Sequence, residues 1–441
     1  MVHTPLPQTS SDLARNPRAP EIDGQHNTRS LILALAGTFV LRCASYGAGS
    51  VIPLFLGIKS RSDSEITAGL VAFVAVTFYA AELLAAPVFG ALSDRFGRKP
   101  FMLLGPIFGG LAIQLLGVSA AIPVLATVRV LEGLSTASSA PATLGFLSMR
   151  TAHSERLRAR VMGFYEAATV VGIATGAAIA GRLYDAYGTL AFSFIALIYA
   201  TSLVIFACVP RGPRPKVELP RQPISNIFRA MANRRVWRFA PAWLAANAVL
   251  GAWFALGPFL AGGPPVADQL LMGGFGGTQI GNAQLVFGVV FTLGAIVWGF
   301  AMPIFGRQTM LLIGVAGLGL TSVSLWLLNN SVGSAAQVTT LLAGVVMVGV
   351  FIESGFTPAA LAYLAEIAEE QAEHRGSVMG LYSVLLSSGQ LLGGILAAPF
   401  AQTLGFNGLI ILTGLLTLIA LFTVLLLGQA ERKTRRAAAR A

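Results

Sequence analysis

Charge is what this sequence has least of. Only 11% of its 441 residues are Asp, Glu, Lys or Arg, against about 25% in a soluble domain, which excludes an ordinary water-solvated globule. It has two cysteines, Cys43 and Cys208, both in apolar stretches, so no disulfide framework is available. The four histidines, His3, His26, His153 and His374, all lie outside the apolar stretches. Imidazole is therefore absent at membrane depth, and a proton carrier there has to be a carboxylate. No HExxH, GxSxG or nucleotide-cradling glycine loop occurs. An enzyme is not expected, and neither is a catalytic residue, a metal site or a cofactor.

Apolar and small residues are abundant. Hydrophobic residues make up 55% of the chain, glycine contributes 49 positions, and mean hydropathy is +0.73. Small residues let membrane helices approach closely. Twelve apolar segments can be drawn, at 31–57, 67–89, 101–119, 121–147, 161–184, 188–209, 237–261, 284–305, 309–329, 337–365, 377–403 and 406–428. Each is about as long as the ~20 residues a helix needs to cross the bilayer. An even number puts both termini on one side.

The net charge of +11 would suit a nucleic-acid partner, but its distribution argues otherwise. Placed on these segments, every Lys and Arg except Lys59, Arg61, Arg182, Arg42 and Arg129 falls on the side of the termini. That is the positive-inside asymmetry of a multi-pass protein of the plasma or inner membrane, with both termini cytoplasmic. The expected organisation is a flexible cytoplasmic tail (1–29, lacking a secretory leader's apolar core), a six-helix bundle (30–209), a Pro- and Arg-rich cytoplasmic linker (210–236), a second bundle (237–428) and a basic tail (429–441). The Gly-rich stretch 262–283 reads as an outside loop with no assigned role.

The halves repeat each other. At a shift of 217 residues, Gly163, Gly172, Gly176 and Gly188 align with Gly380, Gly389, Gly393 and Gly405, and Pro141 aligns with Pro358. Between the second and third segments lies Gly90-Ala-Leu-Ser-Asp94-Arg95-Phe-Gly97-Arg98-Lys99-Pro100. Its glycines allow a tight reversal, and Asp94 is placed to cap a helix or pair with Arg98. A worn copy, Gly299 to Gln308, carries Pro303 where Asp94 stands in the first.

The spacing Gly-x-x-x-Asp-Arg-x-Gly-Arg-Lys resembles the signature loop of the major facilitator superfamily, specifically its drug:proton antiporter group. The resemblance implies an all-α membrane fold of twelve transmembrane helices in two pseudo-symmetric six-helix bundles. It also implies a site where the two repeats meet.

Six ionisable residues lie inside apolar segments: Arg42, Glu82, Arg129, Glu132, Glu166 and Glu353. Facing lipid, each would cost about 2.5–3.5 kcal/mol or more, so each should face protein or a cavity. Burial favours the neutral carboxyl and a nearby Arg the charged one, so a carboxylate that exchanges one for the other can carry a proton. Arg129 and Glu132 are three apart on one helical face. Arg129-Val-Leu-Glu132-Gly133 resembles the fourth-helix motif of proton-coupled members, with Glu in place of Gln. Family placement puts Arg42, Arg129, Glu132 and Glu353 around one cavity as the proton-coupling charges. Glu82 and Glu166, nearer the cytoplasmic ends, suit pairing with Arg98 or Arg158 as well as transport.

Gly163-x8-Gly172-x3-Gly176-Ala-x2-Ala180-Gly181 resembles the antiporter motif of exporters, with Ala177 replacing its proline. The matching stripe on segment eleven is its expected partner. Tyr46, Trp243, Asn247, Trp253, Phe254, Tyr363 and Gln390 are candidate substrate contacts, suiting an amphiphilic organic molecule. The reading is therefore a proton-coupled exporter of small hydrophobic or amphiphilic compounds, its partners being that substrate, protons and the lipid bilayer, and its expected state a monomer. The alternatives are a proton symporter or facilitator importing a small metabolite and, more remotely, a non-transporting sensor or scaffold.

Overall fold

The computed structural model describes residues 24–118, 121–151, 154–210, 234–370 and 375–438. Helices dominate because an apolar chain in lipid has to satisfy its backbone N–H and C=O groups within itself. The first half holds α1 (Gly24–Lys59), α2 (Ala68–Phe96), α3 (Arg98–Val118), α4 (Ile122–Arg150), α5 (Glu155–Tyr187) and α6 (Ala191–Cys208). The second holds α7 (Arg234–Gly262), α8 (Gly277–Phe305), α9 (Arg307–Asn329), α10 (Ala336–Glu353), α11 (Phe356–Glu370), α12 (Arg375–Leu404) and α13 (Phe406–Ala438). Side chains turned outward include Phe300, Ile304, Leu84 and Phe422, the apolar coat expected against lipid.

Ten helical stretches are long and apolar enough to cross a membrane, one of them running from Arg160 to Cys208 through the α5–α6 reversal. α4 is not among them. Its interior is buried but polar, with Arg129, Glu132, Ser135, Thr136, Ser138 and Ser139 all inside the protein. The tenth expected segment, 337–365, is not one helix: it breaks at Ser354–Gly355 into α10 and α11. Pro358 supplies no N–H in the first turn of α11, which favours a restart there.

Other edges also move. α1 begins at Gly24 and α13 continues to Ala438, while 277–283, drawn above as loop, forms the first two turns of α8. Most of the 210–236 linker and residues 1–23 lie outside the described residues.

The internal repeat reappears as geometry. Gly97 and Gly306, at the α2–α3 and α8–α9 reversals, have φ of 95° and 75°. Gly188 and Gly405, at the α5–α6 and α12–α13 reversals, have φ of 56° and 59°. A side chain at any of these would be strained. The helix pairing is repeated as well. α5 packs on α1, where Gly172 and Gly176 sit against the backbone at Phe39 and Cys43; α12 packs on α7, where Gly389 and Gly393 sit against Leu244 and Ala248. The glycine stripe on α5 therefore meets α1, and not the eleventh segment as expected. Among its members, Gly163 touches nothing and Gly181 meets α8 instead.

The two halves touch toward the end of the bundle distant from both termini, hereafter the far end. Ser50 on α1 donates to Gln284 on α8, and Tyr46 meets Phe254 edge-on at 5.9 Å. Val76 on α2 abuts Gly394 on α12, and Leu54 on α1 abuts Gly262 on α7. The Arg61 Nε donates to the carbonyls of Gly262 and Gly263. From Ala174 to Gly181, α5 lies on Gly277, Gly281 and Gly288 of α8 with almost no side chain between the backbones.

Candidate functional site

At the middle of the first half, α1 presents Arg42, Tyr46 and Gly49 in one half-buried strip, their spacing of four and three keeping them on a single face. α4 runs beside it. The Arg129 Nη1 donates to Glu132 Oε2 at 2.6 Å, with Arg129 7% exposed and Glu132 fully buried. The guanidinium also lies 4.7 Å from the centre of the Phe78 ring on α2, a cation–π contact. On the α1 side, Gly49 leaves room for it. Gly133, next in sequence, lets α4 approach the backbone of α2 at Phe78 and Glu82.

Glu132 is only half satisfied: Oε2 holds the arginine, while Oε1 is buried with no hydrogen-bond partner. Tyr199, buried on α6 with its ring filling the space beside Gly109, is electrostatically close to this carboxylate. Such a group can answer its bare oxygen in only two ways, by taking a proton or by gaining a donor when the helices move.

Arg42 is the second centre. Tyr165 on α5, Tyr46 and Glu82 on α2 are its electrostatic neighbours, and Glu166 on α5 faces it as well. Glu82 and Glu166 thus gather round Arg42 and not the basic loops. Arg98 instead pairs with Asp94, Nη2 to Oδ1 at 2.6 Å. Tyr165 had no motif to announce it; its one sequence signal is adjacency to Glu166.

Glu353 is elsewhere. It is the last residue of α10 and its Oε2 accepts from Thr321 Oγ1 of α9 at 3.0 Å. The helix break beside it is held by Trp298 of α8, whose Nε1 donates to the Phe351 carbonyl at 2.8 Å. Glu353 therefore does not share the Arg42–Arg129–Glu132 site; it lies where α8, α9 and α10 meet.

The candidate substrate contacts divide similarly. Tyr46 stands between the halves against Phe254. Trp243 is 2% exposed between Phe239 and Phe356, the Asn247 Nδ2 donates to its carbonyl at 2.9 Å, and Gln390 is buried. The Trp253 Nε1 donates to Thr413 Oγ1 at 2.9 Å, and Tyr363 packs on Phe239. Trp243, Asn247, Trp253, Tyr363 and Gln390 all make their contacts inside the second half.

The signature loop ties its own half together. α2 ends at Phe96 and turns through Gly97, and Arg98 lays its guanidinium over Gly145 of α4. The Lys99 Nζ donates to the Ala207 carbonyl at the end of α6, at 2.6 Å. Arg95 stacks on Phe96, and Gly90 faces Pro141. In the second half, Arg307 lies over the Tyr363 ring, 4.5 Å from its centre, as Arg98 lies over Gly145.

Sequence reading missed the far-end lock. Asp185, in the last turn of α5, accepts from the backbone N–H of Gly277 and Thr278 through Oδ1 and Oδ2, each at 2.7 Å. The Arg182 Nη2 donates to Asn282 Oδ1 at 2.7 Å. An anion at a helix N-terminus is favoured by four unsatisfied N–H groups and the helix dipole. The only available hint was an Asp and an Arg in an otherwise uncharged turn.

Two packed six-helix bundles, seamed by glycine and holding buried charges at mid-membrane depth, define a multi-pass membrane transporter. The profile of the Major Facilitator Superfamily matches residues 34–273 and 263–441, and the chain belongs to that superfamily. It is 26% identical over 372 residues to Multidrug resistance protein 1 of Bacillus subtilis (strain 168), covering 83% of this chain and 88% of that one. Against the class C tetracycline resistance protein of Escherichia coli it is 26% identical over 397 residues, 88% and 94% of the two chains. Crystal structures of the nucleoside transporter NupG superpose on 90% of this chain with TM-scores of 0.71 and 0.68. Their 11% and 12% identity makes that a likeness of fold alone.

Proposed function

We propose that this transporter is a proton-coupled exporter of small hydrophobic or amphiphilic organic compounds. The observation that carries the reading is the buried Arg129–Glu132 pair with one carboxylate oxygen left bare. With the positive-inside rule setting orientation, the tail end is cytoplasmic and the far end is outside. The halves are then sealed on the outer side. When they rock open outward, α2 and α4 shift against α1, the Phe78 and Gly49 sides of Arg129 loosen, and Glu132 exchanges its arginine for a proton. Closure returns Arg129 to Glu132 and discharges the proton inward. Arg42, with Glu82 and Glu166 beside it, holds the balancing charge on the opposite wall. The names of the two relatives, a multidrug and a tetracycline resistance protein, support organic compounds as cargo and efflux as direction. Tyr46 and Phe254, where the halves meet, are the aromatic pair against which an amphiphile would lie.

Proteoliposomes with an acidic lumen and a trapped pH dye test this, challenged with lipophilic cations, neutral amphiphiles and organic acids. Protease access to the C-terminal tail reports orientation. Compound-triggered luminal alkalinisation in the native protein and its loss in Glu132→Gln are the expected results. Glu353→Gln, in its separate niche on Thr321, should reduce the response without abolishing it. Compound equilibration without any proton movement would refute coupling and leave the importing or facilitating reading.

A further inference from the structure

Away from the space between the halves, a groove of about 1020 Å³ runs between the first turns of α7 and the last membrane turns of α13. Its floor is Pro241, Thr423 and Leu427; its walls are Leu418, Ile419, Phe422 and Leu426, all well exposed. The wall residues repeat at helical spacing and so form one apolar face of α13. On a membrane protein such a face looks into the acyl chains.

The mouth of the groove is different. It carries Trp237, Arg238 and Gln429, and no acidic residue lines any part of it. Trp237 is 56% exposed, an indole at the level where headgroups begin. Arg238 is exposed and has no hydrogen-bond or ion-pair partner among the described residues. Beyond the groove α13 continues as helix through Arg432, Lys433, Arg435 and Arg436, with Glu431 its one acid. A cation at the headgroup level above an apolar channel in the same leaflet matches one kind of occupant, a molecule with an anionic phosphate at one end and long hydrocarbon at the other. A guanidinium suits phosphate because its planar fork donates two parallel hydrogen bonds.

We infer that the α7–α13 groove binds one phospholipid with an anionic headgroup, its phosphate on Arg238 and its acyl chains along Leu418, Ile419, Phe422 and Leu426. The site is independent of the proton route, because none of its residues belongs to the Arg42 or Arg129 clusters.

The test is native mass spectrometry of the full-length protein titrated with phosphatidylglycerol or with phosphatidylcholine of the same chains. The native protein should retain one phosphatidylglycerol in preference to phosphatidylcholine. Arg238→Gln should weaken retention about fivefold, the effect of one basic residue at an anionic surface, and Arg238→Lys should retain most of it. Because Lys keeps the charge, loss in Gln with retention in Lys reports on headgroup binding and not on folding. Equal retention of the two lipids by the native protein overturns the inference, and so does equal phosphatidylglycerol retention by the native protein and Arg238→Gln. Glycerol phosphate should not displace the lipid; if it does so at matched concentration, the acyl groove plays no part and the inference falls.

Discussion

Neutralising Asp185 should unlock the far end. In the structure both of its carboxylate oxygens hold N–H groups of the first turn of α8, at 2.7 Å each, across the boundary between the halves. Hydrogen bonds to a charged acceptor contribute about 1.5–3 kcal/mol each when shielded. Asp185 is exposed, so water screens the pair and a total of about 1–2 kcal/mol is the better figure. Its placement on the helix dipole is part of that sum. All of it is specific to the sealed state, because the two N–H groups belong to the other half and separate from Asp185 when the seal opens. Losing about 1–2 kcal/mol changes a two-state ratio about 5- to 30-fold.

The assay is the rate at which a membrane-impermeant maleimide, added from outside, labels a single cysteine at Ser50→Cys. Ser50 is 6% exposed on α1 at the α8 contact. In a background with Cys43 and Cys208 replaced by Ser, Asp185→Ala should label about 5- to 30-fold faster than the same protein with Asp185 intact. Asp185→Asn, which keeps one acceptor oxygen, should fall between them. An unchanged rate in Asp185→Ala would show that the glycine seam alone holds the seal, and would refute the assignment of free energy to these two hydrogen bonds.

Two further outcomes follow from the same packing. Arg129→Ala leaves Glu132 buried without its partner and should cost about 3–5 kcal/mol of stability, read as an early unfolding transition in detergent, whereas Arg129→Met with Glu132→Leu should recover most of that stability and still abolish proton movement; equal stability of the single and double variants would mean that the pair is not buried as described. Gly176→Val would drive a side chain into the Cys43 backbone and Gly393→Val into that of Ala248; each should lower thermal stability by an overpacking cost of about 1–3 kcal/mol, while Gly163→Val, with nothing near it, should be close to neutral.

The contrast among these glycines shows how far the sequence was legible. Spacing alone identified a smooth face on α5, and the repeat put a matching face on α12. It could not name the neighbour, because a stripe of small residues specifies a distance of approach and not the helix that approaches. The two stripes were paired with each other, whereas the fold gives each its own counterpart, α1 for α5 and α7 for α12. The charges show the same limit. Arg129 and Glu132 were readable as a pair because both lie on one helix, where a separation of three fixes their geometry. Glu353, Glu82 and Glu166 depended on contacts between helices. Glu353 went to Thr321 because the chain breaks just after it, and the break was hidden in an unbroken apolar run.

The mistaken pairing also bears on mechanism. Had α5 packed on α12, the glycine seam would join the halves along the whole depth of the membrane and resist their separation throughout. With Gly172 and Gly176 spent inside the first half, and Gly389 and Gly393 inside the second, each half is internally tight. The close backbone contact of α5 with the other half is confined to the run from Ala174 to Gly181 on α8. Asp185 and Arg182 stand one turn beyond that run. A rigid rocking motion therefore has a short seam to open, ending in a polar clasp at the surface. The charges that would carry the proton lie one layer deeper, on α1, α2 and α4, where opening the seam first alters their surroundings.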